Sequence, residues 1–114
     1  MAQERWQLTG AAAESYEQYQ VPNIAGPLAR AFLAHLPIKP GQRLLDVGCG
    51  TGVIAREAAF MVGTKGSITG IDLNEDMLAV AGQQAPSQHT QLEWHHGDAE
   101  NLPFLDSQFD VVLC

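Results

Sequence analysis

The sequence predicts an α/β fold: a doubly wound parallel sheet in strand order 3-2-1-4, with helices on both faces. Three observations carry this. Short apolar runs alternate with stretches of helical period, from "LLDV" and "VIAREAAFMVG" through "SITGID", a helix starting at Glu75, and "LEWHHGD". Each of the first three runs closes on an aspartate, Asp46, Asp72 and Asp98, with 26 residues in each step. That interval holds one strand, one crossover helix and two short loops, so the array is βαβαβ. Finally, the first run passes into its helix through Gly48, Gly50 and Gly52, a turn that lets backbone approach a ligand. Right-handed crossovers make such a sheet parallel. Ligands then lie outside the carboxyl ends of the strands, where the three aspartates fall.

In chain order, residues 1–40 are expected as a helical segment and 41–114 as the βαβαβ core plus a fourth strand. Within the first part, "ESYEQY" reads as a separate helical turn carrying Tyr16 and Tyr19. Pro22 and Asn23 then precede "IAGPLARAFLAHL", where Ile24, Leu28, Ala31, Phe32 and His35 recur at helical spacing and predict one apolar face. Pro27 falls in the first turn, where a missing N–H is tolerated, and "PIKPGQ" from Pro37 to Gln42 ends the helix. The helix after the glycines runs to about Val62, and "GTKG" turns the chain into the second strand. Asn74 is the expected N-cap of the next helix, with Glu75 and Asp76 in its first turn matched to the helix dipole. "FDVVLC", Phe109 to Cys114, reads as the fourth strand. An apolar strand left unpaired on one side predicts that the chain is the front part of something longer, and that this segment alone either self-associates through the edge or is a poorly stable monomer.

Composition narrows the function. At 114 residues, 46% apolar and 17% charged, this is one small globular unit able to bury roughly 65% of its unfolded surface. A net charge of −7 with six scattered Lys and Arg leaves no basic stripe, which excludes nucleic acid as the expected partner. "MAQERWQLTG" lacks the apolar stretch of a signal peptide, and no run approaches the roughly 20 residues of a membrane span, so a cytoplasmic location is expected. Cys49 and Cys114 form neither a disulfide framework nor a metal spacing and are expected as reduced thiols. His95 and His96 are adjacent, face opposite ways on a strand and cannot share a metal, so no metal site is expected.

The glycine turn selects its ligand by spacing. A dinucleotide fingerprint counted from Gly48 needs its third glycine at position 53, which is Val53. The D-x-G-x-G-x-G turn instead places the Asp46 carboxylate beside the cradle and suits a ligand with a cationic part. Asp46 could also simply orient the turn by accepting backbone amides. Asp72, 20 residues past Gly52, stands where nucleotide sites of this topology put the carboxylate that accepts both ribose hydroxyls. Its other role, a helix cap, already belongs to Asn74. Met77 fits an adenine contact or plain core equally.

"LLDVGCGTG", "GIDLNEDML" and "GDAENLPF" followed by "FDVVLC" resemble the successive motifs of class I S-adenosylmethionine-dependent methyltransferases. The likeness is to the small-molecule group that includes the ubiquinone and menaquinone biosynthesis type (methyltransferase type 11), over most of residues 15 to 114. The resemblance implies that residues 1–114 are the N-terminal cofactor-binding portion of a Rossmann-like domain. S-adenosylmethionine is then the cofactor, S-adenosylhomocysteine the product and a small molecule the methyl acceptor. It puts Asp46 on the cofactor's ammonium, the backbone of Gly48 and Gly50 against its methionine part, and Asp72 on the ribose. Leu73 and Met77 flank the adenine. Asp98 takes the adenine amino group, the Ala99 N–H a ring nitrogen, and Glu100 a weaker contact. "LPF", Leu102 to Phe104, supports the adenine pocket from below, and Tyr19 closes over the methionine end. The family continues into further strands, a hairpin and a substrate cover, which supply any general base, so no catalytic residue is assigned. The other function class is a non-catalytic S-adenosylmethionine-binding fragment or accessory subunit.

Overall fold

The computed structural model describes residues 9–84 and 90–114. A helical run opens the chain: α1 (Ala11–Ser15), a π-helical stretch (Tyr16–Ala25) and α2 (Gly26–Leu33). There follow β1 (Arg43–Val47), α3 (Val53–Val62), β2 (Ser67–Asp72), α4 (Glu75–Gln83), β3 (Gln91–His96) and β4 (Val111–Leu113). All strand pairs are parallel and the order is β3-β2-β1-β4, as the sequence predicts. Leu44 stands in register with Ile68 and Val111, and Asp46 with Gly70 and Leu113.

The side-chain alternation of the strands sorts the core. Leu44, Ile68 and Leu113 pack against Leu33 of α2 and Ala55, Ala58, Ala59 and Val62 of α3, with Leu92 and Trp94 of β3 at the margin. Both crossovers, β1-α3-β2 and β2-α4-β3, step in the same direction across the sheet, so right-handedness puts α3 and α4 on one face. Helical cover is therefore uneven among the described residues. The opposite face is crossed by the segment after β3, where Phe104 meets His95 edge-on at 5.5 Å and Phe109 at 5.1 Å. Leu45, Leu102, Phe104, Leu105, Phe109 and Val112 line a hollow there.

Strand ends differ from the sequence expectation in two places. Asp98 lies two residues beyond the end of β3. The fourth strand starts at Val111 rather than Phe109, because Asp110 accepts from the backbone N–H of Arg43 at 2.8 Å and from its guanidinium at 3.0 and 3.2 Å. That ion pair fastens the start of β4 to the start of β1.

The N-terminal run departs further. Pro22, expected ahead of the helix, lies inside it, and "ESYEQY" is not a separate turn. A proline ring crowds the carbonyl four residues back and donates no N–H, and the wider π winding takes up both defects. The wide turn closes where the Gly26 N–H donates to the Val21 carbonyl; a Cβ at Gly26 would stand 2.7 Å from that oxygen. The buried face of α2 is also not the predicted one. Ile24, Leu28, Ala31, Phe32 and His35 are exposed, whereas Val21, Gly26, Ala29 and Leu33 are buried. Small residues on α2 meet the alanines of α3, and this close helix approach outweighs the larger apolar stripe.

Glycines in the sheet are packing residues. A Cβ on Gly70 would stand 2.6 Å from the Trp94 ring and 2.8 Å from the Cys49 sulfur, whereas one on Gly82 in α4 meets nothing within 4 Å. Gly70→Ala is expected to destabilise by about 1–3 kcal/mol through overpacking. Gly82→Ala is expected to be neutral or stabilising by about 0.5–1 kcal/mol. Urea unfolding of the two variants side by side checks both signs.

Candidate functional site

The site is built on the turn between β1 and α3. Gly48, Gly50 and Gly52 have φ of 76°, 56° and 88°, left-handed values that side chains disfavour, so their alternation is a backbone requirement. The N–H groups of Gly48 and Cys49 donate to the Ile71 carbonyl at 2.8 and 3.1 Å. That of Gly50 donates to Asp72 Oδ2 at 2.8 Å. The turn is thereby folded onto the end of β2. Space beside it stays open at Gly48, where a Cβ would meet nothing within 4 Å, while Met77 closes over Gly50, its Cε lying 3.2 Å from a Cβ placed there.

Asp72 occupies the β2 terminus with both carboxylate oxygens aimed: Oδ2 takes the Gly50 amide and Oδ1 the Asn74 amide at 2.8 Å. Asn74 in turn caps α4, its side-chain oxygen accepting from Asp76 and Met77 at 3.0 and 3.2 Å. Capping and rim acid are thus separate residues. A carboxylate oxygen offers about two lone pairs, so each oxygen of Asp72 keeps one for a ligand hydroxyl.

Asp46 is the penultimate residue of β1 and is only 3% exposed. Its Oδ2 has no hydrogen-bond partner among the described residues; nor does Thr51 Oγ1, on a residue 1% exposed in the same turn. Burial, and secondarily the Asp72 charge, push the Asp46 carboxyl up to about 7. Burial likewise raises the Cys49 thiol, which stays protonated and packs against Gly70. The reading of Cys49 as a free thiol holds, and Cys114 is free as well.

The remaining predicted residues are more open. Leu73 is exposed, and its carbonyl accepts from His96 Nε2 at 2.9 Å, which fixes the proton of that imidazole on Nε2. Asp98 Oδ1 accepts from the Glu100 amide at 2.9 Å, and Asp98, Ala99 and Glu100 are all exposed on the loop after β3. Tyr19 lies in the π-helical stretch with its ring exposed, and its carbonyl accepts from Asn23 Nδ2 at 2.6 Å. The turn, Asp46, Asp72 and Met77 therefore meet at one place, with Leu73 adjoining and Asp98 to Glu100 on the neighbouring strand's exit. No hydrogen bond joins the Tyr19 side chain to the turn among the described residues. His95 and His96 point to different partners, Phe104 and Leu73, as strand alternation requires. No cluster of three metal-ligating side chains occurs among the described residues.

Sequence reasoning missed Thr51 and Arg56. Arg56 Nη1 donates to the Thr51 carbonyl, and Nη2 lies 2.6 Å from Glu17 Oε1. A threonine between two required glycines is a weak local signal. A pairing across 39 residues gives none.

A parallel sheet with a glycine turn and carboxylates at one rim defines the class of α/β proteins that hold nucleotide-like ligands across the strand ends. Residues 44–114 match the family model described as "Methyltransferase domain", and the chain belongs to that family. It is 44% identical over 75 residues to the 2-phytyl-1,4-naphtoquinone methyltransferase of Synechocystis sp., covering 64% of this chain and 32% of that protein. It is 37% identical over 98 residues to the demethylmenaquinone methyltransferase of Staphylococcus epidermidis, covering 86% of this chain and 38% of that one. The chain thus spans about a third of the length of these curated relatives. Its fold is similar to that of a SAM-dependent methyltransferase from Aquifex aeolicus, with a TM-score of 0.65, 27% identity, and coverage of 74% of this chain and 45% of the other.

Asp46 gives the ligand-free protein a pH signature. The unfolded carboxyl titrates near ~3.9 and the folded one at about 7, so between these the folded state holds the extra proton. The contribution is complete below about pH 4 and is lost as pH rises to about 7, a fall on the order of 3–4 kcal/mol. Asp46→Asn is expected to flatten that slope and leave the ligand-free protein more stable than wild type at pH 8. Denaturant unfolding across pH 4–8 checks it.

Proposed function

We propose that this chain is the cofactor-binding portion of an S-adenosylmethionine-dependent methyltransferase that acts on a quinone-type small molecule. One observation carries the reading: the buried Asp46 Oδ2, without a hydrogen-bond partner among the described residues, beside three left-handed glycines. An unpaired buried carboxylate is costly, and a cationic ligand group supplies what the fold withholds. The residues present fit the cofactor. Asp46 takes the ammonium, the open backbone at Gly48 and Gly50 admits the methionine part, and the orphaned Thr51 hydroxyl is available to its carboxylate. Asp72 accepts the ribose hydroxyls on its free lone pairs. Leu73 and Met77 flank the adenine, Asp98 accepts from its amino group, Ala99 donates a backbone N–H to a ring nitrogen, and Glu100 stands at the margin. Tyr19 covers the methionine end, a ring face suiting a sulfonium.

When bound, the cofactor supplies an electrophilic methyl group on its sulfonium. The chain's own residues bind and orient it, and alignment with the acceptor is the main source of rate. The names of the two relatives, both acting on naphthoquinone-type compounds, support the acceptor class. The reading includes S-adenosylhomocysteine as product, a cytoplasmic location, no nucleic-acid partner and self-association by edge pairing at β4. No described helix is long and apolar enough to cross a membrane.

Calorimetric titration tests the reading. S-adenosylmethionine and S-adenosylhomocysteine are expected to bind, with NAD far weaker; the reverse order overturns it. Asp72→Ala is expected to weaken cofactor binding about tenfold to hundredfold, since charge-assisted hydrogen bonds worth roughly 1.5–3 kcal/mol are lost. Affinity unchanged at equal folded fraction would reduce Asp72 to an anchor for the turn. Cofactor affinity is also expected to rise with pH up to about 7 as Asp46 ionises, then level off, a profile that Asp46→Asn removes. Sedimentation velocity over a concentration series reads the self-association.

A further inference from the structure

We infer that Arg56 is a positioning residue that couples the N-terminal helical run to the shape of the glycine turn. Arg56 stands in the first turn of α3, which starts at Val53. Its guanidinium spans two acceptors, the Thr51 carbonyl through Nη1 and Glu17 Oε1 through Nη2 at 2.6 Å. The side chains of Arg56 and Glu17 are only 19% and 14% exposed, so the pair is shielded from solvent screening. The guanidinium also lies against the turn itself: a Cβ on Gly52 would stand 3.2 Å from Nη1. A planar fork of five donors can hold two acceptors in a fixed relation, which an ammonium cannot.

What the fork connects matters. Thr51 lies between two left-handed glycines and carries a buried hydroxyl that has no partner among the described residues. Its carbonyl bond to Arg56 holds the Thr51–Gly52 peptide plane, whose Gly52 N–H donates to the Cys49 carbonyl at 2.9 Å and closes the turn just after the Gly50 amide that Asp72 holds. Glu17 belongs to the π-helical stretch, whose winding is held open by Pro22 and Gly26. A π-helical stretch is rare and departs from the regular α ladder, and here it is tied to the glycine turn through the Glu17–Arg56 pair. Two other bonds tie the run to the domain, the Gly10 N–H to Asp76 at 2.9 Å and Arg30 to Glu57 at 3.2 Å, but neither reaches the turn. Ligand binding in the turn and ordering of residues 16–25 therefore favour one another reciprocally through Arg56.

The inference rests on the proposed cofactor site, and S-adenosylhomocysteine is the probe. Purified wild type, Glu17→Gln, Arg56→Gln, the double variant and Arg56→Lys are titrated at equal folded fraction. Backbone hydrogen exchange of residues 16–25 is followed with and without the probe. Glu17→Gln and Arg56→Gln are each expected to weaken binding about tenfold, the double variant no further, and the probe is expected to slow exchange in wild type alone. Arg56→Lys is expected to recover thermal stability through Glu17 without recovering affinity, a split that a purely structural ion pair does not produce. Unchanged affinity in the variants, or additive losses with no change in exchange, overturns the inference. Should Arg56→Gln fail to fold, the isosteric Glu17→Gln decides alone by the same two readouts. Absence of binding by wild type removes the cofactor reading and the inference with it. Binding by wild type and variants alike removes only the inference.

Discussion

The structure depends on the glycine turn being bonded to the strand beside it as well as to itself. Ile71 offers one carbonyl to two successive N–H groups and Asp72 offers a carboxylate to a third, so the exit of β1 is sewn to the end of β2. A chain tied in this way must reverse at positions 48, 50 and 52 before α3 can start, and only glycine makes those reversals without strain. The consequence reaches into the sheet. Cys49 is carried down against β2, where Gly70 must lack a side chain because the Cys49 sulfur and the Trp94 ring fill its place. The turn, the β1–β2 register and the position of Trp94 are one packing solution.

Two carboxylates near opposite ends of β1 show how the same strand serves two purposes. Asp110 meets Arg43 at the open N-terminal end, and its hydrogen bonds hold its carboxyl down at about 2. Asp46, near the carboxyl end, is buried with its Oδ2 unpartnered among the described residues and is pushed up to about 7. The first pair is exposed and fixes register more than it stabilises, since such pairs contribute about 0–1 kcal/mol. The second acid opposes folding at neutral pH. A buried carboxylate oxygen with no hydrogen-bond partner among the described residues costs stability, and the proposed cofactor would supply the missing partner.

Local chemistry made much of this legible. Strand order and parallel pairing followed from the 26-residue interval and the alternation of apolar runs, because both are set by short-range periodicity. The Asn74 cap followed from backbone geometry that asparagine satisfies by itself. The N-terminal run was not legible in the same way. Pro22 reads as a boundary in sequence, yet a wider helix accommodates it, and the buried face of α2 is chosen by small residues approaching α3. The depth of Asp46 and the reach of Arg56 to Glu17 arise only when elements far apart in sequence are brought together.

The two ends of the proposed cofactor site are held by different means. At the turn, Asp46 Oδ2 and Thr51 Oγ1 are almost wholly buried and unpartnered among the described residues, so recognition in the proposed complex would be electrostatic and would depend on water being excluded. At the exit of β3, the loop is held by bonds among half-buried and exposed groups: the Gly97 N–H to the Asp72 carbonyl at 3.1 Å, His96 to the Leu73 carbonyl, and the Glu100 amide to Asp98. Those bonds order a rim without burying charge. In the proposed complex the charged end of the ligand is therefore read where a wrong charge leaves a buried acid unpaired, and the flat end where a wrong ring loses only shape and one or two solvent-facing hydrogen bonds. Discrimination by charge is the stronger of the two, so in the proposed complex Asp46, more than the exposed rim, would separate a sulfonium amino acid from an anionic dinucleotide.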